Sequence, residues 1–227
     1  MANKLNLMSQ LVFKFPFKTK YFEQDYYVSS NNFSAYRLVE SWPNWPGRWI
    51  NIFGPKGCGK THLSNIFLKK IKSYYIEAKN FKDYDIIENI KNEECLIIDN
   101  YNNNIKENEL YSILNFLKQT NKYVVINSLI SLKNKNIKLK DLKSRLNSFI
   151  DVGIELPTDD LLRVIISKCF SDKQIEITPN ISEYIIKNIE RSYEKVFKFI
   201  KEIDDLSLSS GKSININLIK KVLTNNE

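Results

Sequence analysis

One eight-residue stretch, Gly54 to Thr61, restricts the fold of this chain more than any other part of it. Its sequence, GPKGCGKT, fits the pattern G-x-x-x-x-G-K-[ST] at every fixed position. An apolar run at 48–53 precedes the stretch, and a helical pattern follows it from Lys60 to Lys72. Strand, glycine-rich turn and helix in this order are the context that confirms a phosphate-binding loop. The alternative is a glycine-rich turn that holds no ligand.

Each residue type in the loop has a chemical reason to be there. Glycines let backbone N–H groups close around phosphate oxygens, and the helix that follows adds its positive dipole end. Lys60 is placed to reach the β- and γ-phosphates, and Thr61 to offer a hydroxyl to Mg²⁺. His62 has an alternative role, which is packing in the first helical turn. The predicted nucleotide-binding residues are Gly54, Pro55, Lys56, Gly57, Cys58, Gly59, Lys60, Thr61 and His62.

A second acidic contact for the metal is expected at the end of a nearby apolar strand. The run from Leu96 to Asp99, LIID, supplies it, so Asp99 is the predicted Walker B residue and shares Mg²⁺ with Thr61. The next residue is Asn100, where a vigorous ATPase usually carries Glu or Asp. An amide cannot act as a base. We therefore predict slow hydrolysis at this site, unless another carboxylate takes that role.

Apolar runs alternate with helix-patterned segments up to Pro157. The further runs cover 73–78, 94–99, 123–127 and 149–156, and the helical patterns between them cover 81–91, 107–120 and 138–148. Such alternation requires crossover connections and predicts an α/β fold in which helices flank a parallel five-stranded sheet.

The strand pattern stops after Pro157. Helical spacing then recurs at 158–171, 180–190, 192–208 and 215–224. We predict three parts, which are a flexible tail at 1–20, an α/β nucleotide-binding core at 21–157 and a helical lid at 158–227. The last helical pattern leaves only four residues, so we expect no room for a helix-turn-helix DNA-binding domain.

Base composition explains much of the net charge of +8. Lys, Asn and Ile number 29, 27 and 30, and all three have A/T-rich codons. We therefore favour codon drift over a nucleic-acid surface as the origin of the charge. Arginine is scarce by contrast, with five residues. A position that keeps Arg is a candidate for a planar, bidentate contact that Lys cannot make.

Other protein classes are disfavoured. No apolar run approaches the 18 or so residues of a membrane span, and the first residues lack the unbroken apolar stretch of a signal peptide. The three cysteines, Cys58, Cys95 and Cys169, are widely spaced, which argues against a disulfide frame or a zinc site. We expect a cytoplasmic protein with no membrane contact.

Four motifs in order carry a resemblance to a known family. They are GPKGCGKTHL, LIIDN, LKSRL at 142–146 and ERSYEKVF at 190–197. Together they resemble the AAA+ module of the DnaA replication initiators and, more closely, the short Hda branch, the regulatory inactivators of DnaA, in its alphaproteobacterial form. The resemblance runs from Gln10 to about Leu223.

The resemblance implies roles for residues outside the phosphate-binding loop. Arg145 falls where the family keeps its arginine finger, which reaches the nucleotide of a neighbouring subunit, and Arg191 falls at the sensor 2 position of the lid. Asn127 falls near sensor 1, with Ser128 as the competing choice. The segment 25–28 is similar to the box that lies along the adenine. The residues implied there are Tyr26 and Val28, although Ser29 replaces the expected glycine.

The amino-terminal segment QLVFKF is similar to the Hda motif that docks into the DNA polymerase III sliding clamp, the β subunit. The residues implied are Gln10, Leu11, Phe13 and Phe15. An apolar pocket would receive Leu11 and Phe13, while Gln10 would fix the register. The alternative is an edge strand whose alternate residues face the core.

The leading hypothesis is a negative regulator of replication initiation that offers Arg145 in trans to ATP bound by DnaA while held on the clamp. The implied partners are DnaA, the clamp and further copies of this chain, with DNA contacted weakly or indirectly. The implied cofactors are ADP or ATP with Mg²⁺, and which nucleotide is functional stays open. The runner-up is an independent AAA+ ATPase or helicase-loader-like remodelling protein.

Overall fold

The computed structural model describes residues 21–210 and 214–224. These residues form two compact units, Tyr21–Leu156 and a unit that begins at Pro157. The predicted clamp-binding residues Gln10, Leu11, Phe13 and Phe15 lie outside the described residues.

A five-stranded sheet forms the centre of the first unit. Its strands are β1 (Trp49–Phe53), β2 (Ser73–Glu77), β3 (Cys95–Tyr101), β4 (Tyr123–Ser128) and β5 (Ile150–Gly153). They lie in the order β2-β3-β4-β1-β5, and every neighbouring pair is parallel. The predicted α/β fold is therefore confirmed, including the number of strands.

Helices cover the sheet because its central strands are buried along most of their length. Five consecutive residues from Cys95 to Asp99 are buried in β3, and five of the six residues of β4 are buried. Parallel sheets with this pattern are covered on both faces. The helices of this unit are α1 (Phe33–Glu40), α2 (Lys60–Phe67), α3 (Asp83–Ile90), α4 (Glu107–Gln119) and α5 (Lys140–Asn147).

Three elements differ from the sequence-based expectation. Helix α1 was not predicted, because only Ala35 and Val39 are buried on it. Helix α2 ends at Phe67 rather than Lys72. Strand β5 ends at Gly153 rather than Leu156, because the Ile154 N–H makes the last bond to β1, at 2.8 Å from the Phe53 carbonyl oxygen.

Trp42 and Trp45 pack as aromatic residues, but not at an edge of the sheet. Their ring centroids lie 4.5 Å and 6.1 Å from that of Tyr123, the first residue of the central strand β4. Phe67 at the end of α2 stacks on Trp45 with centroids 4.7 Å apart. The cluster covers the amino-terminal end of the central strand β4.

The second unit is helical. It contains α6 (Asp159–Ser171), α7 (Pro179–Asn188), α8 (Tyr193–Ser210) and α9 (Ile216–Thr224), which share one buried apolar cluster. The Thr158 side chain accepts a hydrogen bond from the Leu161 N–H and caps α6, and Pro179 occupies the first turn of α7. Within residues 21–210 and 214–224, none of the helices is long and apolar enough to span a bilayer.

Candidate nucleotide-binding site

The predicted site residues of the core meet at the carboxyl ends of three neighbouring strands. The loop Gly54–Thr61 follows β1, Asp99 lies near the end of β3, and Asn127 lies near the end of β4. Because parallel strands end at the same edge of a sheet, these groups converge in space. Ligands of open α/β sheets bind at this edge.

Two glycines shape the loop where other residues would collide. A Cβ atom on Gly54 would lie 2.5 Å from the Ile154 carbonyl oxygen, so the chain passes too closely for a side chain. Gly59 has a φ of +99°, and a Cβ there would lie 2.9 Å from the Tyr26 ring. Gly59 also precedes α2 and leaves its first N–H groups without a side-chain cap. Uncapped N–H groups at a helix start are suited to an anion.

Lys60 is buried at the centre of the loop. Its ammonium donates to the carbonyl oxygens of Gly54 and Pro55 at 2.8 Å and 2.9 Å. The loop carbonyls therefore hold the charge within the curve of the loop. The Cys58 thiol lies 3.6 Å from the same nitrogen, and burial raises the pKa of this thiol, which keeps it neutral. Lys56 and Gly57 are exposed at the crest of the loop.

Asp99 is fully buried and is the centre of a hydrogen-bond network. Its Oδ2 accepts from the Thr61 hydroxyl at 2.7 Å and from the Tyr75 hydroxyl at 2.6 Å. Its Oδ1 accepts from the Asn127 side-chain amide and from the Asn100 N–H, both at 2.9 Å. Burial first, and then the bond to Asp99, raise the pKa of Tyr75, so its hydroxyl stays a donor.

Asn127, and not Ser128, points toward Asp99. Its amide nitrogen donates to Asp99 and also to the Ser64 hydroxyl at 2.8 Å, while its buried Oδ1 has no hydrogen-bond partner. Ser128 is used differently, because its hydroxyl donates to the Ile130 carbonyl oxygen at 2.6 Å and accepts from Asn51 at 2.9 Å. Of the two candidates for sensor 1, only Asn127 is placed beside the Walker B position.

Asn100 adopts a left-handed conformation with a φ of +58°, within an irregularity in the pairing of β3 with β4. Asparagine tolerates this region better than most residues. Its side chain is exposed while Asp99 is buried. The residue that follows Asp99 is therefore an exposed amide and not a carboxylate.

An aromatic cluster lies beside the loop. The Tyr26 ring contacts Gly59, stacks on Tyr36 at 5.9 Å between centroids, and meets the His62 ring edge-on at 5.3 Å. His62 Nε2 lies 2.6 Å from the Phe22 carbonyl oxygen. His62 thus anchors the segment that precedes α1 against the start of α2. Val28 is half-buried in the same segment.

The residues present fit a Mg²⁺-bound nucleotide. Uncapped N–H groups, a lysine and glycines that permit close approach suit phosphate oxygens, and the Thr61 hydroxyl with the Asp99 carboxylate offers the hard oxygen ligands that Mg²⁺ prefers. In the described part of the chain, no three His, Cys, Asp or Glu side chains form a metal cluster. Mg²⁺ at Thr61 and Asp99 would complete its shell with phosphate and water.

Arg145 lies at the opposite end of the sheet. It lines a cavity of about 490 Å³ together with Trp49 and Ile150, the first residues of β1 and β5. The length of β1 separates this cavity from Gly54 by about 15 Å. Arg145 Nε donates to the Asn115 side-chain oxygen at 3.1 Å. Its terminal nitrogens make no hydrogen bond to any described residue.

Comparisons with known proteins agree with this architecture. Residues 50–141 match a family model described as RNA helicase. The initiator DnaA of Buchnera aphidicola subsp. Cinara cedri is 27% identical over 215 residues, which cover 84% of this chain and 48% of that protein. Domain III of Thermotoga maritima DnaA superposes with a TM-score of 0.75 at 20% identity, and the match covers 93% of this chain and 98% of that domain.

The fold is therefore the one found in domain III of DnaA. The Aquifex aeolicus DnaA structure with bound AMPPCP superposes with a TM-score of 0.62 at 22% identity, and the match covers 82% of this chain and 66% of that one. The chain spans about half the length of the Buchnera initiator, 48% of it.

Arg191 belongs to the helical unit of the DnaA-like fold. It lies in the turn between α7 and α8, and its guanidinium pairs with Asp159 at the start of α6, with Nη2 and Oδ2 3.1 Å apart. The Arg191 side chain is 66% exposed. An exposed pair of this kind contributes little to stability and releases its arginine easily.

Two contacts of the predicted site residues were not predicted from the sequence. Tyr75 on β2 reaches Asp99, and Asn115 on α4 orients Arg145. Neither residue belongs to a recognisable motif. Tyr75 could have been found only by placing β2 beside β3 and counting alternate residues along each strand.

Proposed function

We propose that this protein is a nucleotide-binding regulator of chromosome replication initiation that promotes hydrolysis of ATP bound by DnaA. In this proposal the protein acts as Hda does, with Arg145 supplied in trans to the nucleotide of a neighbouring DnaA subunit. The observation that carries the proposal is the placement of Arg145. It lies at the end of the sheet away from its own loop, with its terminal nitrogens unused.

Its own nucleotide site would bind ADP or ATP and hydrolyse slowly. Lys60 and the N–H groups of the loop would bind the phosphates, Thr61 and Asp99 would hold Mg²⁺, and Asn127 would act as sensor 1. The metal would supply charge neutralisation between the phosphates. Asn100 offers no base at the position where a carboxylate would orient water. A site that binds well and turns over slowly suits a regulator whose own nucleotide stabilises its conformation.

Arg145 cannot act on the nucleotide of its own chain, because the length of β1, about 15 Å, separates it from the loop. It must therefore meet the nucleotide of another subunit if it acts as a finger. Asn115 holds Nε, so the two terminal nitrogens of the guanidinium are left to form a fork. A bidentate fork of this kind matches phosphate oxygens.

The surroundings of Arg145 favour an anionic partner. Arg48, Lys118 and Lys122 line the same cavity, and its lining contains no carboxylate. The Arg48 guanidinium lies over the Tyr123 ring, with Cζ 4.6 Å from the ring centroid. Each of these cations lacks an ion-pair partner among the described residues. Such a surface steers a negatively charged site toward Arg145.

The remaining parts of the proposal rest on the family resemblance. Arg191 would act as sensor 2 over the nucleotide of its own chain, and Tyr26 with Val28 would lie along the adenine. The segment Gln10 to Phe15 would bind the sliding clamp and concentrate the protein on DNA. Further copies of this chain are proposed as additional partners.

The proposal is tested by mixing the protein with ATP-loaded DnaA and with clamp loaded on DNA, and following conversion of the DnaA-bound ATP to ADP. An arginine finger supplied in trans accelerates hydrolysis by about 10³ to 10⁵. We expect Arg145→Ala to remove at least a thousandfold of the acceleration. Arg163→Ala is the matched control, because Arg163 pairs with Asp160 and Glu183 on the lid and has no proposed role.

Outcomes of this experiment separate the parts of the proposal. Wild-type protein that leaves DnaA-bound ATP intact would show that the regulatory function is wrong. If a Leu11→Ala variant keeps full activity with loaded clamp, only the proposed contact between the tail and the clamp is refuted. Equal losses in Arg145→Ala and Arg163→Ala would mean that Arg145 has no special role.

The second candidate is an independent AAA+ ATPase that remodels a partner through its own cycle. The complete set of Lys60, Thr61, Asp99 and Asn127 at one site favours it. Turnover by the isolated protein distinguishes the two functions, because rapid ATP hydrolysis without DnaA or clamp supports the remodelling enzyme.

A further inference from the structure

Strand β2 places a phenol on the carboxylate at the centre of the nucleotide site. Tyr75 pairs with Ile97 of β3, so its side chain lies on the same face of the sheet as that of Asp99, two residues farther along. The Tyr75 hydroxyl donates to Asp99 Oδ2 at 2.6 Å, and the Thr61 hydroxyl donates to the same oxygen at 2.7 Å. Two hydroxyl groups therefore share one carboxylate oxygen.

These bonds use the full acceptor capacity of Asp99. A carboxylate offers about four lone-pair positions. The other oxygen, Oδ1, accepts from Asn127 and from the Asn100 N–H, both at 2.9 Å. Thr61 and Asn127 belong to the predicted site, and the Asn100 bond comes from the backbone. Tyr75 is the donor that the predicted site does not require.

A Mg²⁺ ion at Thr61 would need part of this capacity. Mg²⁺ dehydrates reluctantly and keeps several water ligands, whose protons need acceptors. Asp99 is fully buried, so it can accept from a water ligand of Mg²⁺ only if one of its four donors leaves. Either the half-buried Tyr75 is displaced from Asp99, or the water ligands of Mg²⁺ make no hydrogen bond to Asp99.

We infer that Tyr75 is a positioning residue that competes with Mg²⁺ for Asp99 and so weakens the dependence of nucleotide binding on Mg²⁺. The inference rests on nucleotide and Mg²⁺ binding at this loop, as proposed above, and is independent of any action on DnaA. With Tyr75 in place, the site holds nucleotide largely through Lys60 and the loop. Without the hydroxyl, Asp99 becomes available to the metal.

The test is a titration of fluorescent methylanthraniloyl-ADP at a series of Mg²⁺ concentrations, from EDTA upward. Tyr75→Phe removes the hydroxyl and keeps the ring. Tyr74→Phe is the matched control, because Tyr74 lies one residue away on the opposite face and packs in the apolar core. We expect the Mg²⁺ concentration that gives half of the full increase in nucleotide affinity to fall about tenfold in Tyr75→Phe. Affinity in EDTA should be unchanged, as should every value for Tyr74→Phe.

Each other outcome is decisive. An unchanged Mg²⁺ midpoint in Tyr75→Phe overturns the inference, and a higher midpoint shows that Tyr75 orients Asp99 for the metal rather than competing with it. Tyr75→Leu provides a second hydroxyl-free side chain if the phenylalanine variant does not fold. A wild-type protein that binds no nucleotide would refute the proposed nucleotide site itself, which is a different result from an unchanged midpoint.

Discussion

The two ends of the parallel sheet use their polar groups in opposite ways. At the carboxyl end, Asp99 is buried with four donors around it, and Lys60 is held by two carbonyl oxygens. At the amino-terminal end, Arg145 keeps its terminal nitrogens unused beside Arg48 and Lys118. A closed network is suited to a ligand that belongs to this chain. An open set of donors is suited to a ligand that another molecule brings.

After the loss expected for Arg145→Ala, the largest expected effect is at the carboxyl end and tests whether that end lacks only a base. We expect Asn100→Asp to raise ATP turnover of the isolated protein by about 10², because a carboxylate there can accept a proton from water. Aspartate also tolerates the left-handed backbone of this position. Turnover is measured by release of inorganic phosphate. Asn102→Asp in the neighbouring exposed loop is the control, and equal rates in both variants would show that the missing carboxylate does not limit hydrolysis.

The two ends also differ in how they tolerate a methyl group. Gly59→Ala places a Cβ at a φ of +99° and 2.9 Å from the Tyr26 ring, so we expect a loss of about 2 kcal/mol in the free energy of unfolding. Gly47→Ala, beside the Arg145 cavity, meets only the flexible end of Ile150 at 2.9 Å and should cost less. Urea unfolding of the two variants measures the difference. Equal stabilities would show that neither the left-handed backbone of Gly59 nor its contact with Tyr26 costs free energy in the alanine variant.

The open end can be weakened without touching Arg145 itself. Asn115→Ala removes the acceptor for Arg145 Nε, and we expect hydrolysis of DnaA-bound ATP to fall about tenfold, the effect of one hydrogen bond to a charged group. Nucleotide affinity of the protein itself should not change. Asn115→Asp keeps an acceptor and should restore most of the activity. If Asn115→Ala loses nucleotide affinity as well as activity on DnaA-bound ATP, the substitution has damaged α4 and says nothing about the orientation of Arg145.

The smallest expected effect is a pH dependence of the core that both ends share. Burial raises the pKa of Cys95 on β3 from its ordinary value near 9 to about 12. Because the Cys95 thiol holds its proton more tightly in the folded protein than in the unfolded chain, it contributes to the free energy of unfolding. This contribution is complete below pH 9 and is lost as the pH rises toward 12. Between about pH 8 and 9.5, we expect wild type to lose about 0.8 kcal/mol more than Cys95→Ser. The free energy of unfolding is measured by urea denaturation at each pH. The same dependence on pH in both proteins would contradict this prediction.

The strands and the nucleotide loop could be predicted from the sequence because their signals are local. Apolar runs identified all five strands, and the residue types of Gly54 to Thr61 identified the loop between β1 and α2. Helix α1 has no comparable signal, since it buries only Ala35 and Val39. Its position is fixed by contacts such as the Tyr26–Tyr36 stack, which a single sequence does not contain.

The contacts of the site depend on the order of the strands. Asp99 could be predicted from its place in a motif, but its bond to Tyr75 exists because β2 lies beside β3. The contact of Asn115 could not be predicted for a similar reason, since its partner Arg145 lies 30 residues away on another helix. The choice between Asn127 and Ser128 was open in the sequence because side-chain direction at a strand end follows from pairing, not from residue type.

The tryptophan cluster gives the molecule an optical asymmetry. All three tryptophans of the chain lie at the amino-terminal end of the sheet, with Trp42 and Trp45 against Tyr123 and Trp49 lining the Arg145 cavity. The carboxyl end holds tyrosines instead, among them Tyr26 and Tyr75. Indole emission should therefore report on the end of the sheet that carries Arg145 and respond little to events at the loop Gly54–Thr61. The tryptophans would serve as an intrinsic label for the docking proposed at Arg145.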